Sequence, residues 1–223
     1  KYDVCIDSQG LIKSGILSLL SHSSIKAGYD YGSAREPVAS FFYDKRITVP
    51  SELHAIDRQR QLLSSALDYS LNKEADWGIG IGRPMKRQAF LLHGTTWESK
   101  HWPIERWINL ATLLRSEGLE VLISWGNVRE RKDAEAIASE TSSVVLPRMS
   151  LKELASKLGE SMVTVGVDTG LTHLSAALGA STIGLYGPTS IDLTGCRGPR
   201  AETISSRNGM AEISVESVWS RIQ

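Results

Sequence analysis

The 223-residue sequence predicts an α/β protein built on parallel sheets. Three observations carry that prediction. An apolar, β-branched run around Val163–Val167 breaks at Asp168-Thr169-Gly170 and passes straight into a helical pattern that closes at Gly179. A second buried strand, Thr182–Tyr186, follows at once and ends in another small-residue loop, Gly187-Pro188-Thr189. From Phe90 onward, strand and helix patterns alternate, the rhythm of a parallel sheet covered by helices on both faces. Small-residue loops at the carboxyl ends of neighbouring parallel strands point to a nucleotide cleft.

The elements can be justified in order. Tyr2–Ile6 reads as a strand, Leu11–Leu20 as a helix and Ile25–Ala27 as a short strand, together one βαβ-like unit. Two helices are expected near Ala34–Tyr43 and His54–Leu67. Ser70 to Lys86 is rich in glycine and charge without a clear period and reads as a linker. Ala89–Leu92 is a strand. The helix after it opens at Pro103 and places Trp107, Leu110, Ala111 and Leu114 on one face, and Gly118 stops it. Strand Val121–Trp125, a polar helix from Arg129 to Glu140 and strand Val144–Leu146 come next. Ser150 with Glu153 three residues on forms a capping box for the following helix. In the opening motif, Asp168 or Thr169 can cap the helix, and Gly170 lets another group approach the backbone. Val215–Ile222 reads as a last short helix. The expected organisation is residues 1–70 as one lobe, 71–88 as linker and 89–223 as a second lobe.

Composition excludes several function classes. The apolar content, 41%, suffices for a real core, while a formal net charge of zero offers no field to recruit nucleic acid. Cys5 and Cys196 lie far apart, which does not suit a disulfide framework and fits a reducing compartment. The longest apolar runs fall far short of the ~20 residues that a membrane helix needs. The chain starts at Lys1, with a strand directly after it, and reads as a piece of a longer protein.

Candidate chemistry gathers in the strand-end loops. Gly78-Ile-Gly80-Ile-Gly82 has a fingerprint-like spacing, but Arg83-Pro84 follows instead of a helix, so it reads as linker. In His93-Gly94-Thr95-Thr96-Trp97-Glu98-Ser99-Lys100, two hydroxyls and a lysine suit a diphosphate; an ordinary polar loop is the other reading. Glu130 can accept both hydroxyls of a ribose, or simply complement the start of its helix. Met149 can line a base with its thioether, or pack in the core. Asp168, Thr169, Gly170 and His173 surround a helix start, whose free N–H groups attract phosphate. Lys13 and Arg35 could face an anionic acceptor or serve as surface residues. Neither a D-x-D pattern nor a His/Cys cluster supports a metal site. Taken together, the three loops of residues 95–100, 126–130 and 168–173 favour a nucleotide-diphosphate site.

These residues resemble glycosyltransferase family 9. The resemblance is carried by His93-Gly-Thr95-Thr96 with Lys100-His101-Trp102-Pro103, by Trp125-Gly126, by Leu146-Pro-Arg-Met149-Ser150 and by Val167-Asp168-Thr169-Gly170-Leu171-Thr-His173-Leu174 with Tyr186-Gly187-Pro188-Thr189. Ile6-Asp7-Ser-Gln9-Gly10-Leu-Ile-Lys13-Ser14 and Ala34-Arg35-Glu36-Pro37 resemble the members that add the first heptose. The resemblance implies a GT-B architecture of two Rossmann-like lobes with parallel sheets, the N-terminal acceptor lobe being incomplete in this chain. It implies inverting, metal-independent transfer of L-glycero-D-manno-heptose from ADP-L-glycero-β-D-manno-heptose to the inner Kdo of Kdo2-lipid A, with no cofactor. It places such an enzyme in the cytoplasm of a Gram-negative bacterium, in peripheral contact with the inner membrane. By matching position it assigns Thr95, Thr96 and Lys100 to the diphosphate, Glu130 to the ribose and Met149 to the adenine. Asp168, Thr169, Gly170 and His173 fall to the phosphates and heptose, and Arg35, with Lys13, to the acceptor. The family's general base is an aspartate in a Gly-Asp loop that has no counterpart here, and Asp7 matches a different segment.

Three other readings bear on this sequence. A sibling transferase adding the second heptose shares the motifs. A truncated chain could bind the nucleotide sugar without turnover. An NAD-dependent enzyme would need a Gly-x-Gly-x-x-Gly directly after a strand, which this sequence lacks.

Overall fold

A computed structural model describes residues 1–72, 74–79 and 86–223. Gly80 and Gly82 of the glycine-rich run, with Arg83-Pro84, lie outside the described residues, as does part of the expected linker. The chain divides into two compact units, Lys1–Ala75 with Asp192–Thr194, and Asp76–Ile191 with Gly195–Gln223.

The first unit carries β1 (Tyr2–Asp7), α1 (Ile12–Leu19), β2 (Ser23–Tyr29), β3 (Lys45–Ile47) and α2 (Ala55–Leu67). The three strands form a parallel sheet in the order β1-β2-β3. Ala27, Tyr29, Ile47, Val49, Leu62 and Ala66 make its core. The loop after β1 is organised by Asp7, which is buried. One carboxylate oxygen accepts from the Gln9 and Gly10 amides at 2.8 and 3.3 Å, the other from Ser14 Oγ at 2.6 Å and the Tyr43 hydroxyl at 2.5 Å. Four donors occupy this side chain, so its work is structural.

The helix expected over Ala34–Tyr43 is instead a 3₁₀ helix over Pro37–Phe42. Pro37 forces Glu36 into extended backbone, which delays the start. At the far end the Tyr43 hydroxyl is held by Asp7, and Tyr43 is again extended. The strand β3 was not expected from the sequence; three residues are too few to show a period.

Among the described residues, the second unit holds six parallel strands. In chain order they are β4 (Lys86–Leu92), β5 (Glu120–Ile123), β6 (Val144–Val145), β7 (Ser161–Val167), β8 (Thr182–Tyr186) and β9 (Ala201–Ser205). Their spatial order is β6-β5-β4-β7-β8-β9, every neighbouring pair being parallel. Counted within the unit this is 3-2-1-4-5-6, the order of dinucleotide-binding sheets. Its helices are α3 (Ile104–Ser116), α4 (Val128–Thr141), α5 (Leu151–Glu160), α6 (Gly170–Ala177) and α8 (Val215–Trp219), while the single turn α7 (Ile191–Thr194) groups mostly with the first unit. The edge strand β9 carries no clear strand pattern in the sequence, because charge and hydroxyls interrupt Ala-Glu-Thr-Ile-Ser.

Alternation along the strands sorts the core into two layers. Ala89 and Leu91 of β4, with Val121, Ile123, Val163, Val165 and Val167, pack against Trp107, Leu110, Leu114, Ala134 and Ile137 of α3 and α4. Phe90, Leu92 and Leu122 point the other way and meet Leu154 and Leu158 of α5 and Leu171 and Leu174 of α6. Each β4 residue inside the sheet is thus committed to one face or the other, as a strand covered on both sides must be. Trp107, Leu110, Ala111 and Leu114 are the buried residues of α3, as their spacing predicts. Gly118 and Gly179, with φ of +75° and +72°, supply the left-handed residues that stop α3 and α6.

Gly166, on β7, is a point of close approach. A Cβ there would press on the Thr172 hydroxyl of α6 and stand 2.9 Å from Leu92 Cβ of β4. The Thr172 hydroxyl donates to the Val167 carbonyl at 2.7 Å and so ties the helix start to the strand end. Gly166→Ala should therefore destabilise the second unit by about 1–3 kcal/mol through overpacking. Chemical denaturation checks this; a variant with unchanged midpoint would show that α6 is free to shift.

Candidate functional site

The strand order reverses between β4 and β7, so the loops that leave their carboxyl ends go to opposite faces and open a cleft. The cleft has a volume of about 530 Å³, within the range of small-molecule sites. Thr95, Thr96 and Lys100 enter it from the loop after β4, Glu130 from the start of α4, Met149 from the segment before α5, and Asp168 and Thr169 from the turn between β7 and α6. Seven residues singled out from sequence thus converge on one cavity. Gly170 does not line it directly, but a Cβ on Gly170 would meet nothing within 4 Å, so the space over this residue is open.

At the cleft floor the Lys100 ammonium donates to Asp168 Oδ2 at 2.6 Å. His173 Nε2 lies 3.6 Å from the other oxygen, Oδ1. Asp168 has a side chain only 10% exposed, so its charge depends on these partners. Burial pushes its pKa up, but hydrogen bonding from His173 and Lys100 outweighs that and holds the carboxyl below its usual range. The aspartate is an anion, and the lysine at its side is a cation with two further N–H donors. One expectation is corrected here. Thr169 occupies the N-cap position of α6, yet neither it nor Asp168 caps the helix by side-chain hydrogen bonding. The Asp168 carboxylate is drawn away to Lys100, and the first amides of α6 keep no side-chain cap.

Glu130 sits in a reciprocal cap. Its amide donates to Asn127 Oδ1 at 3.0 Å, and its carboxylate accepts from Asn127 Nδ2 at 2.8 Å and from the Gly126 amide at 2.6 Å. Met149 is partly buried against the Phe90–Leu92 layer while also lining the cleft. Trp125, Arg148, Ser124 and Trp97 line the cleft without having been assigned a role from sequence. Trp125 donates from Nε1 to the Leu146 carbonyl at 2.7 Å, and the Arg131 guanidinium lies 5.4 Å from its ring centre. The position of Arg148, directly before Met149, was the signal that could have found it.

In the first unit, Arg35 lines a separate cleft of about 520 Å³ together with Gln9, Tyr29, Arg58 and Gln59. Arg58 stacks 5.0 Å from the Tyr29 ring centre and donates to the Ser33 carbonyl at 2.7 Å. Glu36, next to Arg35, accepts from the Ile12 amide at 2.6 Å and so holds the start of α1. Lys13 is exposed on α1 and does not line this cleft.

A cleft with two adjacent hydroxyls, a lysine and an uncapped helix start can hold a diphosphate. A carboxylate and an apolar wall beside them can take a ribose and a flat base. Among the described residues, no group of three or more His, Cys, Asp or Glu could hold a metal ion.

The family model described as glycosyltransferase family 9 (heptosyltransferase) matches residues 1–221. Lipopolysaccharide heptosyltransferase 1 of Pseudomonas aeruginosa is 42% identical over 204 residues, covering 88% of this chain. This chain spans 58% of that relative's length. The structure of the E. coli heptosyltransferase WaaC with ADP superposes with a TM-score of 0.90 at 35% identity, over 100% of this chain and 72% of that one. The same enzyme with ADP-2-deoxy-2-fluoro heptose gives 0.87 at 34% identity, with the same coverage. A match over nearly every residue, joined to this fold and this cleft, shows that the chain belongs to glycosyltransferase family 9.

Proposed function

We propose that this chain is the donor lobe and part of the acceptor lobe of a GT-B heptosyltransferase that moves L-glycero-D-manno-heptose from its ADP conjugate to the inner Kdo of Kdo2-lipid A. The observation that carries this reading is the convergence of Thr95, Thr96, Lys100, Glu130, Met149, Asp168 and Thr169 on one cleft at the strand-order reversal. Similarity to an enzyme solved with ADP and with an ADP-heptose analogue supports the same donor here. The work takes place in the cytoplasm, on the inner membrane surface where the lipid acceptor lies. No helix among the described residues is long and apolar enough to cross a membrane.

In this reading the acceptor hydroxyl attacks the anomeric carbon of the heptose on the face opposite the ADP. The bond from that carbon to the β-phosphate oxygen breaks, its electrons stay with ADP, and the configuration inverts. The hydroxyl proton passes to a carboxylate base, the role held in the family by an aspartate with no counterpart in this chain. Lys100 meets the charge that grows on the leaving diphosphate, using N–H donors not given to Asp168. Thr95, Thr96 and the open amides at the start of α6 hold the phosphates; Glu130 accepts from the ribose hydroxyls and Met149 lies on the adenine. Asp168 is an anion, so its carboxylate acts beside the phosphates, on Lys100 and on sugar hydroxyls. Arg35 offers a cation to a phosphate of the acceptor.

The decisive assay is transfer of labelled heptose to Kdo2-lipid A by the protein at its natural length, with this chain alone run beside it. Binding without turnover by the longer protein would favour the nucleotide-sugar-binding reading, and transfer only to an already heptosylated acceptor would favour the sibling enzyme.

Three outcomes are expected. ADP should bind this chain equally well with and without EDTA in calorimetry; a large loss on chelation would instead indicate a metal-bridged diphosphate. Glu130→Ala should weaken ADP by roughly 1.5–3 kcal/mol, the worth of a hydrogen bond to a charged group, and leave inorganic pyrophosphate unaffected. Equal losses for the two ligands would show that Glu130 serves only its own helix. Lys100→Ala, in the natural-length protein at saturating donor, should lower kcat about ten- to a hundredfold, because the contact strengthens only as the bond breaks. Lys100→Arg should recover part of it, since a planar fork sits differently from a compact ammonium. Full kcat in the alanine variant would reduce Lys100 to a tether.

A further inference from the structure

We infer that His93 and Gly94 are positioning residues that together seat Glu130 for the ribose, an inference that rests on the ribose contact proposed above. The two residues directly follow β4 and open the loop that carries Thr95 and Thr96. His93 is 4% exposed, and its Nε2 lies 2.9 Å from the Glu130 main-chain carbonyl. A carbonyl only accepts, so Nε2 carries the proton and donates. Nδ1 is buried with no partner. The imidazole therefore spends its single hydrogen bond on Glu130, 37 residues away along the chain. Burial holds its pKa below the ordinary histidine value, outweighing the bond to the Glu130 carbonyl, which pulls the other way.

Gly94 handles the other half of the same residue. A Cβ on Gly94 would stand 2.5 Å from Glu130 Cδ and 2.8 Å from its Oε2. The carboxylate thus rests in the space that the missing side chain leaves. Adjacent residues of one strand end fix the main chain and the head group of Glu130, which itself arrives from α4. Gly126 and Asn127 hold the carboxylate from the far side, within Glu130's own loop. The β4 end is what relates this loop to Thr95, Thr96 and Lys100, and so sets the ribose subsite at a fixed reach from the diphosphate subsite.

A packing role would predict lost stability alone; a positioning role predicts lost discrimination between riboses. The test compares binding of ADP, 2′,3′-dideoxy-ADP and inorganic pyrophosphate to the full chain by calorimetry. Wild-type protein should prefer ADP to its dideoxy analogue by on the order of ten- to a hundredfold, and Glu130→Ala should erase that preference. His93→Leu should erase most of it as well, with pyrophosphate affinity retained. His93→Gln, whose amide can donate to the same carbonyl, should restore it. Gly94→Ala, which displaces the carboxylate and keeps the imidazole, should match Glu130→Ala, and it decides the question alone if His93→Leu does not fold. A full ADP preference in Glu130→Ala would sink the ribose reading and this inference with it. Lost preference in Glu130→Ala but full preference in His93→Leu, or in Gly94→Ala, would overturn the positioning role alone.

Discussion

The parallel pairing of β4 with β7 is the constraint from which the site follows. These two strands are consecutive in neither chain order nor direction of winding: the chain runs outward from β4 through β5 to β6, then returns to start again at β7. Helices α3 and α4 cover one face and α5 and α6 the other, as the two core layers show. The loops that follow β4 and β7 must therefore part company at the sheet's carboxyl edge. Lys100 leaves on one side, Asp168 on the other, and they meet at 2.6 Å across the gap. Backbone pairing of Leu92 with Gly166 in the strands beneath fixes how closely they meet.

The charge pattern in that gap explains the local departures from ordinary helix capping. An aspartate before a helix usually caps it. Asp168 lies deep enough that its charge must be balanced, and a lysine and a histidine lie within reach. The pair compensates both charges where burial would otherwise penalise each. As a consequence the start of α6 keeps amides without a side-chain cap, and the lysine keeps donors beyond its bond to Asp168. The interaction that organises the site thus leaves available the groups that an anionic ligand requires.

Glu130 shows the same economy in another form. One carboxylate completes a cap with Asn127 and Gly126 and still faces the cleft. Its two sequence readings, ribose acceptor and helix partner, do not compete in space. A carboxylate has two oxygens with about four lone-pair sites, and the cap engages each oxygen once. Met149 is similar: its flexible thioether packs on the Phe90 layer and borders the cavity with the same atoms.

What the sequence determined by itself is local and periodic. The face of α3 came from the spacing of Trp107, Leu110, Ala111 and Leu114. The start of α5 came from Ser150 with Glu153, whose reciprocal hydrogen bonds are present. Stops at Gly118 and Gly179 came from the one residue that adopts positive φ freely. The strand-end loops that line the cleft stand out in the sequence, because short polar runs between buried elements are conspicuous. Tertiary structure alone decided the rest. It placed β4 beside β7, gave Asp168 to Lys100 instead of to its helix, and held the Tyr43 hydroxyl on Asp7 at the far end of the 3₁₀ helix Pro37–Phe42. It also added the short strand β3 and the edge strand β9. Each of these depends on residues far apart in the chain, and no local pattern records which distant partner will be nearest once the sheet has closed.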